Sequence, residues 1–348
     1  MSASVRTRRS MAWTLGLALL LLLATWLSIA LGSLRGGVVF EPGWLSSLTA
    51  DGDGSLHAKV LLFWRAPRAV ASIIVGACLA VAGLVLQGLT RNPLADPYLL
   101  GISGGAGLAV VLLHALPALV VDSGWWLVPI AAFTGAQGAG LLVLGIGRSW
   151  GTGGGRLSVL GLLLAGIVVN AFCAALMSFL LVRFDPFRLR ITTLWLAGGI
   201  GFTRWEQLML VALLALAAWI YLRISAHRLN AFALGTTGAV AVGVDAHRLL
   251  HRAALVSSLL TGLGVSLGGL LGYVGLIVPH VVRRLAGSDF RSTLLLTAVA
   301  GGLLVAVADT VARLALAPEE LPVGVLTALI GCPVLLLLLR VQLRRGAP

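Results

Sequence analysis

Charged residues interrupt this chain rarely, and the apolar intervals between them set out its elements. Long intervals run from Arg9 to Arg35, Arg68 to Arg91, Asp96 to Asp122, Asp122 to Arg148 and Arg156 to Arg183. Each can supply the roughly 20 apolar residues that a helix needs to cross a hydrocarbon core of about 30 Å. Glu206 to Arg223 and Arg291 to Asp309 are shorter, but long side chains at their ends can reach the interface. Glu320 to Arg340 is a last span. The first run follows Arg6, Arg8 and Arg9 as a signal peptide would, yet its apolar part is too long and lacks a small-residue cleavage site, so it is read as a mature helix.

Ala253 to Val282 is too long for one upright helix and too short for two of full length. As one span it would place Arg283, Arg284, Arg291, Arg340, Arg344 and Arg345 outside. As two spans, broken near Gly268 to Gly275 and with Pro279 in the second, it places all six inside, as the positive-inside rule requires. The sequence therefore predicts an all-α polytopic membrane protein of about ten transmembrane helices, with both termini cytoplasmic. Under that topology sixteen of the 25 basic residues face inward with three acids, Asp96, Asp245 and Asp289. The nine remaining bases and nine remaining acids face outward, so the inner face carries the whole formal charge of +13.

Composition agrees, since 59% of the 348 residues are hydrophobic, 11% are charged and the mean hydropathy is +1.03. A soluble enzyme needs roughly twice that charged fraction, and no extramembrane stretch is long enough to fold alone. Residues 1–348 are read as a single transmembrane domain. The basic residues punctuate apolar runs and build no aromatic-lined face, so no nucleic-acid partner is expected. Cys78, Cys173 and Cys332 lie in apolar runs, without disulfide or metal spacing. Glycines recur at helix-packing intervals, as in Gly101, Gly104, Gly105 and Gly107, or Gly264, Gly268, Gly272 and Gly275.

Candidate chemistry is sparse. Gly151 to Gly155 resembles a phosphate cradle but lacks the Gly-Lys-Ser/Thr step, and the single lysine, Lys59, falls in an outer loop. No catalytic residue and no ATP hydrolysis by this chain are expected. His247 and His251 have zinc-helix spacing, but Arg248 stands where a metalloprotease has Glu, and Arg248 and Arg252 repel a cation, so no metal is assigned. His280 reads as a helix-end or packing histidine. The acids fall at or near predicted helix ends. Asp309 is the deepest, with Arg313 four residues on as an ion-pair partner. A proton-coupled carrier would need unpaired carboxylates at mid-membrane, which lowers that alternative, and no channel filter is evident.

Two segments do not read as lipid-facing helix: the apolar inner loop Ser225 to Arg252, and Arg91 to Gly107, an inner turn in which Asn92 and Asp96 can cap the next helix. Here the sequence resembles the permeases of ABC importers for iron-siderophore, haem and cobalamin, the large ten-helix type. The resemblance rests on RAPRAVASIIVGACLAVAGLVLQGLTRNPLADPYLLGISGGAG (65–107), LNAFALGTTGAVAVGV (229–244), GYVGLIVPHVVRRLAGSD (272–289) and ADTVARLALAPEELPVGVLTALIGCPVLLLLLR (308–340). It implies a permease in the bacterial inner membrane that moves an iron complex or cobalamin. Its implied partners are a second copy of itself, two cytoplasmic ATPase subunits that hold ATP and magnesium, and a periplasmic or lipid-anchored binding protein. This chain itself would bind no cofactor.

The resemblance assigns binding-protein docking to Arg65, Arg68 and Arg313. It assigns ATPase coupling to Leu229, Asn230, Ala233, Leu234, Gly235 and Gly243, and the inner gate to Asn92, Pro93 and Leu94. Ser158 to Leu160 departs from the small polar pattern of a second gate position. Leu189 to Gly201 corresponds to a short gating helix at the outer mouth, although Trp195 and Phe202 also suit an interfacial belt.

Overall fold

The computed structural model describes residues 3–34, 37–40, 59–116, 126–149, 159–233 and 235–346. Helix α1 (Ala3–Ala30) leads into a two-stranded antiparallel hairpin, β1 (Leu31–Leu34) and β2 (Gly37–Phe40). A π turn, Leu61–Arg65, continues into α2 (Ala66–Thr90), and a 3-10 turn, Pro97–Leu100, precedes α3 (Ile102–Ala115). Then come α4 (Leu127–Ser149), α5 (Val159–Leu181), the short α6 (Pro186–Leu196) and α7 (Trp205–Ile224). Two short helices, α8 (Ala226–Ala233) and α9 (Thr236–Ala241), lead to α10 (Ala246–Gly268), α11 (Val274–Ala286), α12 (Phe290–Leu314) and α13 (Val323–Gly346).

Among the described residues, seven helices are long and apolar enough to cross a membrane. The shorter apolar helices α3 and α13, with the 13-residue α11, would bring the candidates to the ten expected, and the break between α10 and α11 falls at Gly268 to Val274, within the stretch where the arginine pattern placed it. Local chemistry sets the boundaries. Asp185, Asp245 and Asp289 each accept hydrogen bonds from backbone N–H groups at the starts of α6, α10 and α12. Gly269 ends α10 at φ +64°, a conformation that needs no Cβ.

Helices α2 and α10 are the most buried spans, and α12 packs along α2. That last contact is made by glycine. A Cβ on Gly76 would lie 2.6 Å from the carbonyl carbon of Gly301 and 2.9 Å from the nitrogen of Gly302, so the two backbones touch. Gly105 and Gly135 bring α3 and α4 together in the same way.

Helices α3 and α11 are short, 14 and 13 residues, or about 20 Å each, so irregular chain completes their crossings. The segment after α2 climbs back from the inner end. Pro97 packs on Gly275, which sits against Leu79 and Gly83 of α2. Gly83 lies seven residues above Thr90, about 10 Å in. Asp96, expected at the inner face, therefore adjoins a residue packed beside the body of α2 and not at its inner end. Its carboxylate accepts from Tyr98 N at 2.9 Å and so caps the 3-10 turn, not α3. Asn92 closes its own turn instead, with Leu94 N donating to its Oδ1 at 3.0 Å.

Candidate functional site

Three places bear on function, and the first is the outer end of α1, α2 and α12. Arg68 has two faces. Its Nε donates to Asp309 Oδ1 at 3.1 Å, and its Nη1 donates to Glu320 Oε2 at 2.8 Å and Oε1 at 3.1 Å. Arg313 stands 3.2 Å from the other oxygen of Asp309, the i,i+4 pair expected, and its Nη2 donates to the carbonyl and hydroxyl of Ser28 at 2.9 and 2.8 Å. Arg65 donates to the Ile29 carbonyl at 3.3 Å. Asp309 is fully buried and Arg313 nearly so, whereas the Glu320 side chain is 49% exposed.

This geometry reshapes the basic triplet. Arg313 is a buried structural cation, covered by helix α1, paired in charge with Asp309 and hydrogen-bonded through Nη2 to Ser28, while its Nε makes no hydrogen bond; Arg65 and Arg68 remain partly exposed. Beside Arg68 and Glu320 lies a cavity of about 400 Å³. Trp195, Thr203, Gln207 and Ser266 contribute to its wall, so α6, α7, α10 and the turn before α13 meet there. The short helix anticipated between Leu189 and Gly201 is α6, which starts and ends earlier, at Pro186–Leu196. Phe202 leans on Trp64 with ring centroids 5.0 Å apart, and Trp205 donates to the Leu62 carbonyl at 3.0 Å.

The second place is the inner loop, where α8 lies beneath the inner ends of α2 and α12. Leu229 and Phe232 are buried against them, and Ala233 is exposed. Asn230 holds the loop to the start of α12: its Nδ2 donates to Asp289 Oδ1 at 2.7 Å, and its Oδ1 accepts from Phe290 N at 2.9 Å. Burial alone would raise the Asp289 carboxyl. The hydrogen bonds from Asn230 and Arg291 N–H, with the charges of Arg291 and His227, outweigh burial and hold it below the usual range. A depressed folded value stabilises the tie above the ordinary carboxylate pKa of about 4, and the gain is lost as pH falls through the folded value.

Gly235 (φ +108°) and Gly243 (φ +77°) turn the chain at either end of α9, at angles that disfavour any other residue. Leu234, Gly151 to Gly155 and Ser158 lie outside the described residues. Replacing Asn230 with alanine is expected to loosen α8 at a cost of about 1–3 kcal/mol, the range for an orphaned hydrogen-bond partner. Faster amide exchange over residues 226–244, with exchange in α2 unchanged, would register that loss.

The third place is a cleft of about 330 Å³ beside α5, lined by Tyr98, Ser103, Gly104, Asn170 and Met177. Asn170 Nδ2 donates to the Tyr98 carbonyl at 3.3 Å. Polar groups facing lipid are costly, so this face suits water or another protein surface. Among the described residues, no three His, Cys, Asp or Glu side chains converge as metal ligands would.

The sequence alone did not reveal the ties of Arg68 to Asp309 and Glu320, nor that of Asn230 to Asp289. Their partners lie 241, 252 and 59 positions away. The one available signal was the presence of Asp309 and Glu320 at the predicted outer ends of two spans.

Known proteins resemble this chain along nearly its whole length. The family described as the FecCD transport family matches residues 19–341. The hemin transport system permease protein HmuU of Yersinia pestis is 38% identical over 340 residues, covering 95% of this chain and 97% of that protein. The vitamin B12 import system permease protein BtuC of Salmonella typhi is 36% identical over 343 residues, covering 97% of each. A solved structure described as an inward-facing conformation of a metal-chelate type ABC transporter is 28% identical. It superposes with a TM-score of 0.79 and covers 95% of this chain and 99% of its own.

Proposed function

The chain belongs to the FecCD transport family, a multi-pass inner-membrane permease that is not itself an ATPase, and on that premise we propose that it carries a metal chelate of the haem or cobalamin kind into the cell. The observation that carries this reading is the end-to-end similarity to permeases for hemin and for vitamin B12. Hemin and vitamin B12 are both large, metal-centred macrocycles. A permease that serves such ligands needs a wide path with few specific contacts, and the cleft beside α5, mostly apolar with Ser103 and Asn170 as its polar groups, is its wall in this chain.

The working assembly is two copies of this chain, two ATPase subunits that bind ATP and magnesium, and one binding protein outside. Two copies joined across the face that bears Asn170 would shield its polar groups from lipid. Arg65 and Arg68 take the docking role, with Arg313 holding Asp309 behind them. Asn92, Pro93 and Leu94 border the path from inside, on the turn that leads to Asp96. The α8–α9 loop, with Leu229, Asn230, Ala233, Leu234, Gly235 and Gly243, seats in the ATPase.

Reconstituted proteoliposomes test the reading. ATP with the binding protein should drive uptake of haem or cobalamin, and one of them should exceed a ferric siderophore. Uptake that follows a proton gradient without ATP would replace the importer with an ion-coupled carrier. Within the same assay Ala233→Glu should abolish ATP-driven uptake, since it puts an unpaired charge on the exposed docking side of α8 without touching the buried side. Gly235→Glu is a poorer probe, because its φ of +108° strains any side chain whatever docks there. Wild-type uptake by Ala233→Glu would remove this loop from the ATPase contact.

A further inference from the structure

The two faces of Arg68 differ in a way that structural pairing does not require. One edge is locked to Asp309, which is fully buried; the other holds Glu320, which is half exposed. Glu320 belongs to the turn between α12 and α13, which is fastened near it by the Leu321 N–H to the Ala312 carbonyl at 3.0 Å. Four residues on, Gly324 N donates to the Gly198 carbonyl at 3.1 Å, so the start of α13 is tied to the end of α6. Arg68 and Glu320 both line the outer cavity that lies between these elements.

We infer that Glu320 is an intramolecular stand-in for a partner carboxylate: it occupies the outer face of Arg68 until an acidic side chain of the binding protein takes its place, and its release removes the side-chain tie between α2 and the turn before α13. The inference rests on the docking reading above. Charge arithmetic supports it, because Asp309 and Glu320 already balance two of the three cations Arg65, Arg68 and Arg313, leaving one net positive charge for an acidic partner to meet until Glu320 departs. A half-exposed pair is weakly held and screened by salt, so it exchanges readily, whereas Asp309 stays in place as the fixed half of the site. The outer mouth would thereby register docking before the ligand enters.

The test uses the permease–ATPase complex in lipid nanodiscs and the ligand-free binding protein of the same transporter. Glu320→Gln should dock that protein about three- to five-fold more tightly, the weight of one half-exposed ion pair, with a steeper loss of affinity on adding salt. It should also raise ATP hydrolysis in the absence of the binding protein. Arg68→Gln should weaken docking, and Arg68→Gln with Glu320→Gln should match Arg68→Gln alone, because the stand-in then has no cation to cover. Glu320→Asp, one methylene shorter, should fall between wild type and Glu320→Gln.

Unchanged docking in Glu320→Gln alongside weakened docking in Arg68→Gln overturns the exchange and leaves the docking reading intact. Weaker docking in Glu320→Gln makes Glu320 a direct contact and overturns the exchange as well. If Arg68→Gln assembles with its ATPase and docks normally, the docking reading itself fails and the inference goes with it. Charge reversal at Arg68 is avoided throughout, since it would set a third carboxylate beside Asp309 and Glu320.

Discussion

Replacing Gly76 with alanine is expected to remove most of the folded protein, although the change adds one methyl group. The new Cβ would point into the Gly301–Gly302 backbone of α12, which has no rotamer through which to yield. A normal carbon–carbon contact is about 3.5–4.0 Å, and the carbonyl carbon of Gly301 would stand at 2.6 Å, so α2 and α12 must separate by roughly 1 Å. Overpacking in a well-packed interior costs about 1–3 kcal/mol, and a rigid backbone on the far side puts this site at the upper end. Gly301→Ala should behave alike, because its Cβ would meet Gly76 and Ala80 in turn. Gly16→Ala on α1 is the control: nothing lies within 4 Å of its Cβ, and alanine is the better helix former by about 1 kcal/mol. The yield of monodisperse detergent-solubilised protein and its Tm distinguish the three; wild-type values for Gly76→Ala would mean that α2 and α12 do not cross at this glycine.

Asp309→Ala is expected to be nearly as severe. Asp309 lies between Arg68 and Arg313, 3.0 and 3.2 Å from their guanidinium nitrogens. Its loss leaves two largely buried cations facing each other, with only the half-exposed Glu320 to offset them. Removing one partner of a buried pair costs about 3–5 kcal/mol, most of it the price of stranding the other charge. Asp309→Asn keeps the shape and an acceptor but not the charge, and should lose less. Adding Arg313→Gln to Asp309→Asn should recover part of the Tm by removing one stranded cation, a non-additivity that a double-mutant cycle measures. Strict additivity would mean that the 3.2 Å approach of Arg313 to Asp309 carries no coupling.

These two sites lie on one helix pair. Arg68 is eight residues outward of Gly76 on α2, and Asp309 is eight residues outward of Gly301 on α12. At the inner ends of the same helices the α8 loop is held by Asn230 and Asp289. The pair thus carries the candidate docking cluster at one end and the candidate coupling loop at the other, with the glycine crossing between them.

The sequence by itself determined the all-α polytopic fold, the apolar runs that become its spans, a break near Gly268 to Gly275 and the Asp309–Arg313 pair. Each of these follows from quantities read along one dimension: the length of an apolar run, the charge that flanks it, and the four-residue repeat of a helix. Resemblance added which loops and arginines to watch. The tertiary structure alone decided which charges meet. Arg68 reaches Asp309 only because Gly76 and Gly301 let α2 and α12 touch, and Arg313 is buried because α1 closes over it. It also decided depth. Apolarity marks a run as spanning but not which residues end up level with one another, so the sequence put Asp96 at the inner end of its helices, whereas the fold packs its neighbour Pro97 on Gly275, beside the body of α2. Asn230 read as one polar residue in an apolar loop; the packing of α8 under α12 made it the link between that loop and the membrane helices.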